Sequence, residues 1–501
     1  AKSLEAERSQ VAHSRLSGGL ERRLANPVNF IDERVGAAKG IRFLIDYVFP
    51  DHWSFLLGEI ALYAFIVLVL TGTFLALFFS PGTGQVVYHG PYAPLAGQQV
   101  SHAFNSTLAL SFTVKGGLLM RQTHHWAALV FVAAITVHLL RIVFTGAFRK
   151  PRELNYLVGV TLLAVAILEG FCGYSLPDDL LSGIGLAIAW GVAMSIPFVG
   201  GPFANAVWGG LFPGSTAFES RLYIVHVFVI PALLATLIGL HLAMIMRQRH
   251  TQFRGPGRRE DNVVGTPMWP GYALRSLGLF MLVAAVLVLM GGLIQINPIW
   301  LWGPYHTYLG TNGAQPDWYL GWLIGALRLM PNLEISLGGH TIVPNPFFGG
   351  VLFPTIVFGL LYSLPWIDRR FFTRDHAPHH LLDRPRDNPR RTALAAAVLS
   401  AIVVVFAAGS ADRLFVIFTY SYEGAIDFFR VAFLVVPVAV YAVTRRVCTE
   451  LQRSERNPLR GWSGSVVTRG ADGGFRTLER SADDGPHGHP GDRVAPPDRE
   501  S

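Results

Sequence analysis

The stretch Arg121-Gln122-Thr123-His124-His125-Trp126, which continues through an apolar run to Val137-His138-Leu139-Leu140-Arg141, sets the fold of this chain. It puts His124 and His138 fourteen residues apart in a segment apolar enough to cross a membrane. A second such segment runs from His226 to His241. Imidazoles are costly in hydrocarbon, so four of them in two spans require a chemical reason.

The composition agrees with a membrane protein. Of 501 residues, 51% are hydrophobic and only 15% charged, which excludes an ordinary soluble globule. The runs 56–79 and 274–289 are long enough for a hydrocarbon core of ~30 Å. The formal charge of +8 does not point to nucleic acid, because the Lys and Arg residues lie between spans rather than beside aromatic platforms. Cys172 and Cys448 are too few for a disulfide framework. Residues 1–10 are charged and lack an apolar core, so no cleavable secretory peptide is expected there.

Eight spans are predicted, at 54–79, 117–144, 156–176, 222–246, 276–296, 347–366, 393–408 and 428–443. Basic residues crowd every second loop: Arg149, Lys150 and Arg152, then Arg247 to Arg259, then Arg369 to Arg391. By the positive-inside rule these loops and both termini are cytoplasmic. Residues 186–195 and 204–208 read as short interfacial helices, and Pro231 should kink the fourth span. Four regions follow: a cytoplasmic amphipathic segment (1–50), a four-helix domain (51–255), a C-terminal transmembrane domain (256–445) and a disordered cytoplasmic tail (446–501).

On an α-helix fourteen residues return to within ~40° of the same face, ~21 Å along the axis. His124 and His138 therefore share a face at two depths. His125 lies ~140° out of phase with His138, which makes it the poorer partner. His226 and His241, fifteen apart, differ by ~60° and share one broad face. Both helices run inward, so His124 is level with His226, and His138 with His241. Two bis-imidazole sites stacked across the bilayer suit two non-covalent b-type haems, since no Cys-x-x-Cys-His occurs for covalent attachment. Zinc would want clustered ligands with Cys or carboxylate.

A macrocycle also needs room. Gly58 and Gly72 on the first span, and Gly159 and Gly173 on the third, repeat the period of fourteen. Mid-helix glycine costs ~1 kcal/mol against alanine, a cost that close approach by a bulky neighbour offsets. The plainer reading is small-residue packing between helices. Arg121 precedes His124 and Arg141 follows His138, each by three residues. Both are placed for haem propionates or for simple snorkelling.

With these pieces in place, the chain resembles the cytochrome b subunit of quinol:cytochrome c oxidoreductases. The resemblance covers about residues 40–445 and rests on the four histidines, the four glycines, Gly-Tyr-Ser-Leu-Pro at 173–177, Arg221 before His226, and Pro-Asp-Trp-Tyr at 316–319. It implies an all-α integral membrane protein of eight transmembrane helices, the first four forming a di-haem four-helix bundle, in a bacterial plasma membrane. It implies that His124 and His226 hold an outer haem and His138 and His241 an inner one, with Arg221 among the cofactor-binding residues. Pro316, Asp317, Trp318 and Tyr319 would line an outer quinol pocket bordered by Gly185, with Asp317 and Tyr319 catalytic. One electron would leave to a Rieske-type iron–sulfur subunit and on to a cytochrome c-type subunit. The other would cross through the two haems to an inner quinone. A homodimeric complex follows from the family alone, and a terminal haem-copper oxidase is a candidate further partner that the sequence does not decide.

Three departures from the family pattern stand out. Asp317 replaces the usual Glu and is one methylene shorter. The fifteen-residue spacing on the fourth span resembles chloroplast-type and Gram-positive members, and the basic tail and the Pro-Asp-Trp-Tyr loop resemble actinobacterial members, whose substrate is typically menaquinol. At the inner site Met246 stands where a mitochondrial His would be, leaving His52, His250 and Arg275 as candidates. Three other readings are a carboxylate at 317 that caps a helix at 318–329, a di-haem anchor of another respiratory enzyme, and a transporter with a His proton relay.

Overall fold

The computed structural model describes residues 32, 34, 36–310, 315–456, 466–469 and 474–478. In chain order its main helices are α1 (Ala37–Ile45), α2 (Trp53–Ala76), α3 (His102–Phe112), α4 (Gly117–Thr145), α5 (Glu153–Tyr174), α6 (Leu180–Met194), α7 (Gly200–Trp208) and α8 (Phe218–Gln248). These are followed by α9 (Met268–Leu293), α10 (Trp318–Leu329), α11 (Phe348–Thr373), α12 (Pro389–Ala408), α13 (Ala411–Phe418) and α14 (Tyr422–Arg456). Among the described residues eight helices are long and apolar enough to span a membrane: α2, α4, α5, α8, α9, α11, α12 and α14. The eight-span, all-helical membrane architecture read from the sequence is the one observed.

Continuous apolar sequence forms helices here because hydrocarbon offers no partner for a backbone N–H or C=O outside the helix itself. The ends are set by residues that leave the helical region. Gly116 (φ 75°) precedes α4, and Gly146 (φ 65°) follows it with its N–H turned back to Ile142 and Val143 carbonyls; both φ values favour glycine. Just before Pro231, α8 contains a π-helical turn at Val225–Val229. A π turn absorbs the hydrogen bond that proline cannot donate.

The first four spans form one bundle, with α2 along α4 and α5 along α8, and α9 lies against α2 and α4. Their shared core includes Ala64, Ala127, Val160, Leu234 and Leu287, all essentially inaccessible. A second core (Ala326, Val405, Ala408, Ile426) joins α10, α12 and α14. Large side chains such as Leu70, Val137, Leu282 and Leu434 remain exposed around the outside, as a lipid-facing surface requires.

The loops carry less regular structure than the spans. After α2 the hairpin Gln85–Val87/Gln99–Ser101 and α3 form a cap with its own core of Tyr88, Val100, Phe104 and Leu108. The interfacial helices expected near 186–195 and 204–208 are the longer α6 and α7. In the N-terminal segment, α1 exposes Ile41, Phe43, Leu44 and Ile45; residues 1–31 lie outside the described part. The tail reading is corrected at its start. Helix α14 runs past 446 to Arg456, held by pairs from Arg384 and Arg386 to Glu455 and from Arg453 to Glu450. Val466–Arg469 and Phe475–Leu478 pair as an antiparallel hairpin, and the rest of the tail lies outside the described residues.

Candidate functional site

The histidines meet in two pairs. His124 on α4 and His226 on α8 have ring centroids 6.3 Å apart with planes at 86°. His138 and His241 are 6.5 Å apart at 77°. Two imidazoles coordinating one metal from opposite sides with bonds of about 2.0 Å have centroids roughly 6 Å apart. The π turn explains how α8 keeps pace with α4. It takes up one extra residue, so fifteen residues from His226 to His241 advance about as far as fourteen do on α4. The ~60° offset reckoned for an unbroken helix is thereby replaced by the same ~40° offset that separates His124 from His138 on α4.

Each ring rests on a glycine. A Cβ at Gly72 would lie 3.1 Å from His124 Cε1, one at Gly58 3.3 Å from His138 Cε1, and one at Gly159 3.7 Å from His241 Cε1; a Cβ at Gly173 would run into the His226 ring. Two neighbours absent from the sequence reading approach the outer imidazoles. Thr71 Oγ1 donates to the Val67 carbonyl and lies within hydrogen-bond distance of His124 Nδ1, at 3.0 Å. Glu169 Oε1 stands 3.0 Å from His226 Nδ1. Glu169 was findable, because it is the one acidic residue inside the third span.

Buried cations with incomplete hydrogen bonding flank both pairs. Arg121 donates through one guanidinium nitrogen to the Asn297 carbonyl (3.0 Å), while its Nε and Nη2 have no partner. Arg141 stacks on Phe55 (4.2 Å to the centroid), and its Nε and Nη2 are likewise buried and unpaired. His138 Nδ1 and His241 Nδ1 are also without partners. Unpaired guanidinium donors of this kind are destabilising, and an acidic group entering beside them would satisfy them. Among the described residues no three His, Cys, Asp or Glu side chains cluster as a metal site. The pairs therefore suit a metal that brings its own in-plane ligands and carries acidic arms, which is the chemistry of a haem.

Arg221 is not joined to either pair; it is exposed on the first turn of α8. The Pro-Asp-Trp-Tyr residues form a separate group. Asp317 occupies the N-cap position of α10, yet its carboxylate makes no capping bond, which corrects the capping alternative. Its Oδ1 instead lies 2.7 Å from His125 Nε2, and its Oδ2 accepts from Tyr319 Oη at 2.9 Å. Tyr319 is buried, and a Cβ at Gly170 would lie 2.5 Å from its hydroxyl. Burial, with Asp317 beside it, holds the Tyr319 phenol well above its ordinary range, so it stays a donor. Trp318 is partly exposed, edge-on to Tyr319; Gly185 on α6 packs on Tyr174, whose hydroxyl donates to the Leu181 carbonyl. Pro316 leads into this turn.

At the other end, the inner candidates stand apart. Arg275 pairs with Asp51 (3.0 Å), an aspartate that the local sequence does not single out. His52 bonds Ser54, and His250 is enclosed by Tyr47, Phe49 and Phe55, its burial lowering its pKa to about 4. Glu59, also unforeseen, accepts from Ser276 (2.7 Å), Tyr63 (3.0 Å) and Tyr272.

Comparison with known proteins adds four findings. A family model described as cytochrome b(N-terminal)/b6/petB matches residues 129–304. The cytochrome bc1 complex cytochrome b subunit of Mycobacterium leprae is 46% identical over 472 residues, covering 93% of this chain and 85% of its own length. The like-named subunit of Corynebacterium diphtheriae is 44% identical over 479 residues, covering 94% and 87%. A solved structure of a hyperthermophilic respiratory Complex III superposes with a TM-score of 0.60 over 85% of this chain at 21% identity, a likeness of fold.

Proposed function

This chain belongs to the cytochrome b subunits of cytochrome bc1 complexes, and from that premise we propose that its four intramembrane histidines hold two b haems serving quinol oxidation at an outer site. Membership makes it a haem-carrying integral membrane subunit of a respiratory electron-transfer complex, with the quinol:cytochrome c oxidoreductase role of that complex. The finer reading assigns His124 and His226 to the outer haem and His138 and His241 to the inner one. The observation that carries it is the coincidence of two perpendicular imidazole pairs with a glycine under each ring.

Bound haem supplies reversible one-electron transfer. The chain's own residues do the rest. Arg121 and Arg141 offer their unpaired guanidinium nitrogens to the acidic arms of that group. Thr71 and Glu169 fix the orientation of the outer imidazoles. Asp317 accepts a proton from the quinol hydroxyl, and Tyr319 holds the carboxylate in place. The substrate is a menaquinol, and one electron leaves to a Rieske-type iron–sulfur subunit that works with a cytochrome c-type subunit. The complex is a homodimer, associates with a haem-copper oxidase, and sits in the plasma membrane with the termini of this chain cytoplasmic. The other electron reaches an inner quinone, and proton release outside with uptake inside makes the complex a translocase. The domain division at 51–255 and 256–445 separates the haem bundle from the helices bearing the Pro-Asp-Trp-Tyr turn.

The test is a haem count with variants. Purified complex should show two b haems per chain; His124→Leu and His138→Leu should each remove one. Asp317→Asn should retain both and slow quinol oxidation by about 10²-fold, the usual contribution of a positioned base. A single haem in the unaltered protein, or full turnover in the Asp317→Asn variant, would sink the corresponding half of the assignment.

A further inference from the structure

The sequence marks His125 as a spare, out of phase with the other histidines. The structure gives it an occupation. Neighbours on a helix point ~100° apart, so while His124 faces His226, His125 faces α10 and the turn before it. Its Nε2 meets Asp317 Oδ1 at 2.7 Å across 192 positions of sequence. Both side chains are largely buried, 13% and 12% exposed, where a hydrogen bond to a carboxylate is strong and directional.

We propose that His125 is a positioning residue for Asp317, fixing the short carboxylate so that its remaining acceptor sites face the quinol. This inference rests on the placement of Asp317 at the quinol site under Proposed function. Two observations support it. An aspartate at an N-cap ordinarily turns back onto the helix and accepts from its first N–H groups; Asp317 forgoes that bond, so something else directs it. Its second oxygen is held by Tyr319 (2.9 Å), which cannot retreat because Gly170 lies behind its hydroxyl. An ionised carboxylate has about four acceptor sites, so these two bonds immobilise the group and still leave sites for a substrate hydroxyl. The role needs only an N–H on Nε2, whatever the charge on the ring.

The experiment uses the purified complex with His125→Leu, His125→Asn, His125→Gln, Asp317→Ala and the His125→Leu/Asp317→Ala double variant. It reads kcat and KM for quinol, the reduced-minus-oxidised haem spectrum and the haem midpoint potentials. Expected are a kcat lower by on the order of tenfold or more for Leu and for the shorter Asn, with both haem bands and potentials kept, since misplacing a catalytic group costs that much. Gln, whose amide reaches as far as the imidazole, should restore most of it. The double variant should be no slower than Asp317→Ala alone, because His125 then has nothing to position. Multiplying effects, loss of a haem from the Asn variant, or no rescue by Gln would overturn the proposal. Unchanged turnover in Asp317→Ala would instead remove the quinol-site reading beneath it. A slow Asp317→Ala beside a normal His125→Leu would remove this inference only.

Discussion

At the scale of single residues, the four glycines rank themselves by the space behind them. Gly173 has none: the His226 ring fills the position a Cβ would take, whereas at Gly159 the His241 ring stands off at 3.7 Å, ordinary van der Waals contact. Gly173→Ala should therefore lose the outer haem, and Gly159→Ala should keep both. Reduced-minus-oxidised spectra of the two variants check this, and equal haem retention would mean that the glycines serve only helix packing. The histidines were legible in the sequence because an intramembrane imidazole is conspicuous and helical phase is simple arithmetic. The partners of those histidines were less so. Glu169 and Glu59 stand out as charges within spans, but Thr71 is an ordinary hydroxyl until the fold brings α2 against α4. The bond from His125 to Asp317 joins residues whose local patterns say nothing of each other.

At the scale of elements, the telling feature is the π turn at Val225–Val229. A period of fifteen on α8 and fourteen on α4 is a mismatch for two regular helices. One inserted residue reconciles them, and Pro231 at the start of the following α-segment gives the insertion a cause. Deleting Val227 should regularise the helix, leave His226 and His241 fourteen apart and in phase, and preserve both haems. Deleting Leu237 from the regular segment keeps the π turn and shortens the path, turning His241 by ~100° away from His138. Spectral loss of the inner haem is expected there. If both deletions behave alike, the π turn does not set the register.

At the scale of the molecule, a buried ionic knot ties the two halves together on the side rich in Arg. Arg391, 1% exposed, reaches Asp368 (3.4 Å) and Asp383 (2.8 Å), and Asp383 also takes Arg149 (3.1 Å) from the end of the haem bundle. Removing one member strands the others, so Arg391→Leu should cost about 3–5 kcal/mol, seen as a lower Tm in detergent; an unchanged Tm would make the knot incidental. The same side is proposed to be cytoplasmic. Because Cys172 and Cys448 are buried, introduced thiols report cleanly. A membrane-impermeant maleimide should label Thr83→Cys in intact cells and Asp261→Cys only after lysis, and the reverse pattern would invert the topology.

The sequence alone determined the number of spans, the alternation of basic loops, the two pairs of histidines and the glycines that face them. Each is a local property, since hydropathy, charge and helical period are carried by consecutive residues. Only the tertiary structure decided what the side chains do between elements. It gave the Asp317 carboxylate to His125 and Tyr319 rather than to the end of its own helix, placed Asp51 beside Arg275, and carried α14 past the expected start of a tail. The physical reason is that each partner comes within reach only through the packing of distant elements. His125 and Asp317 meet largely out of water, where a carboxylate must find a donor, while Asp51 with Arg275 and Glu455 with Arg384 meet at the exposed surface.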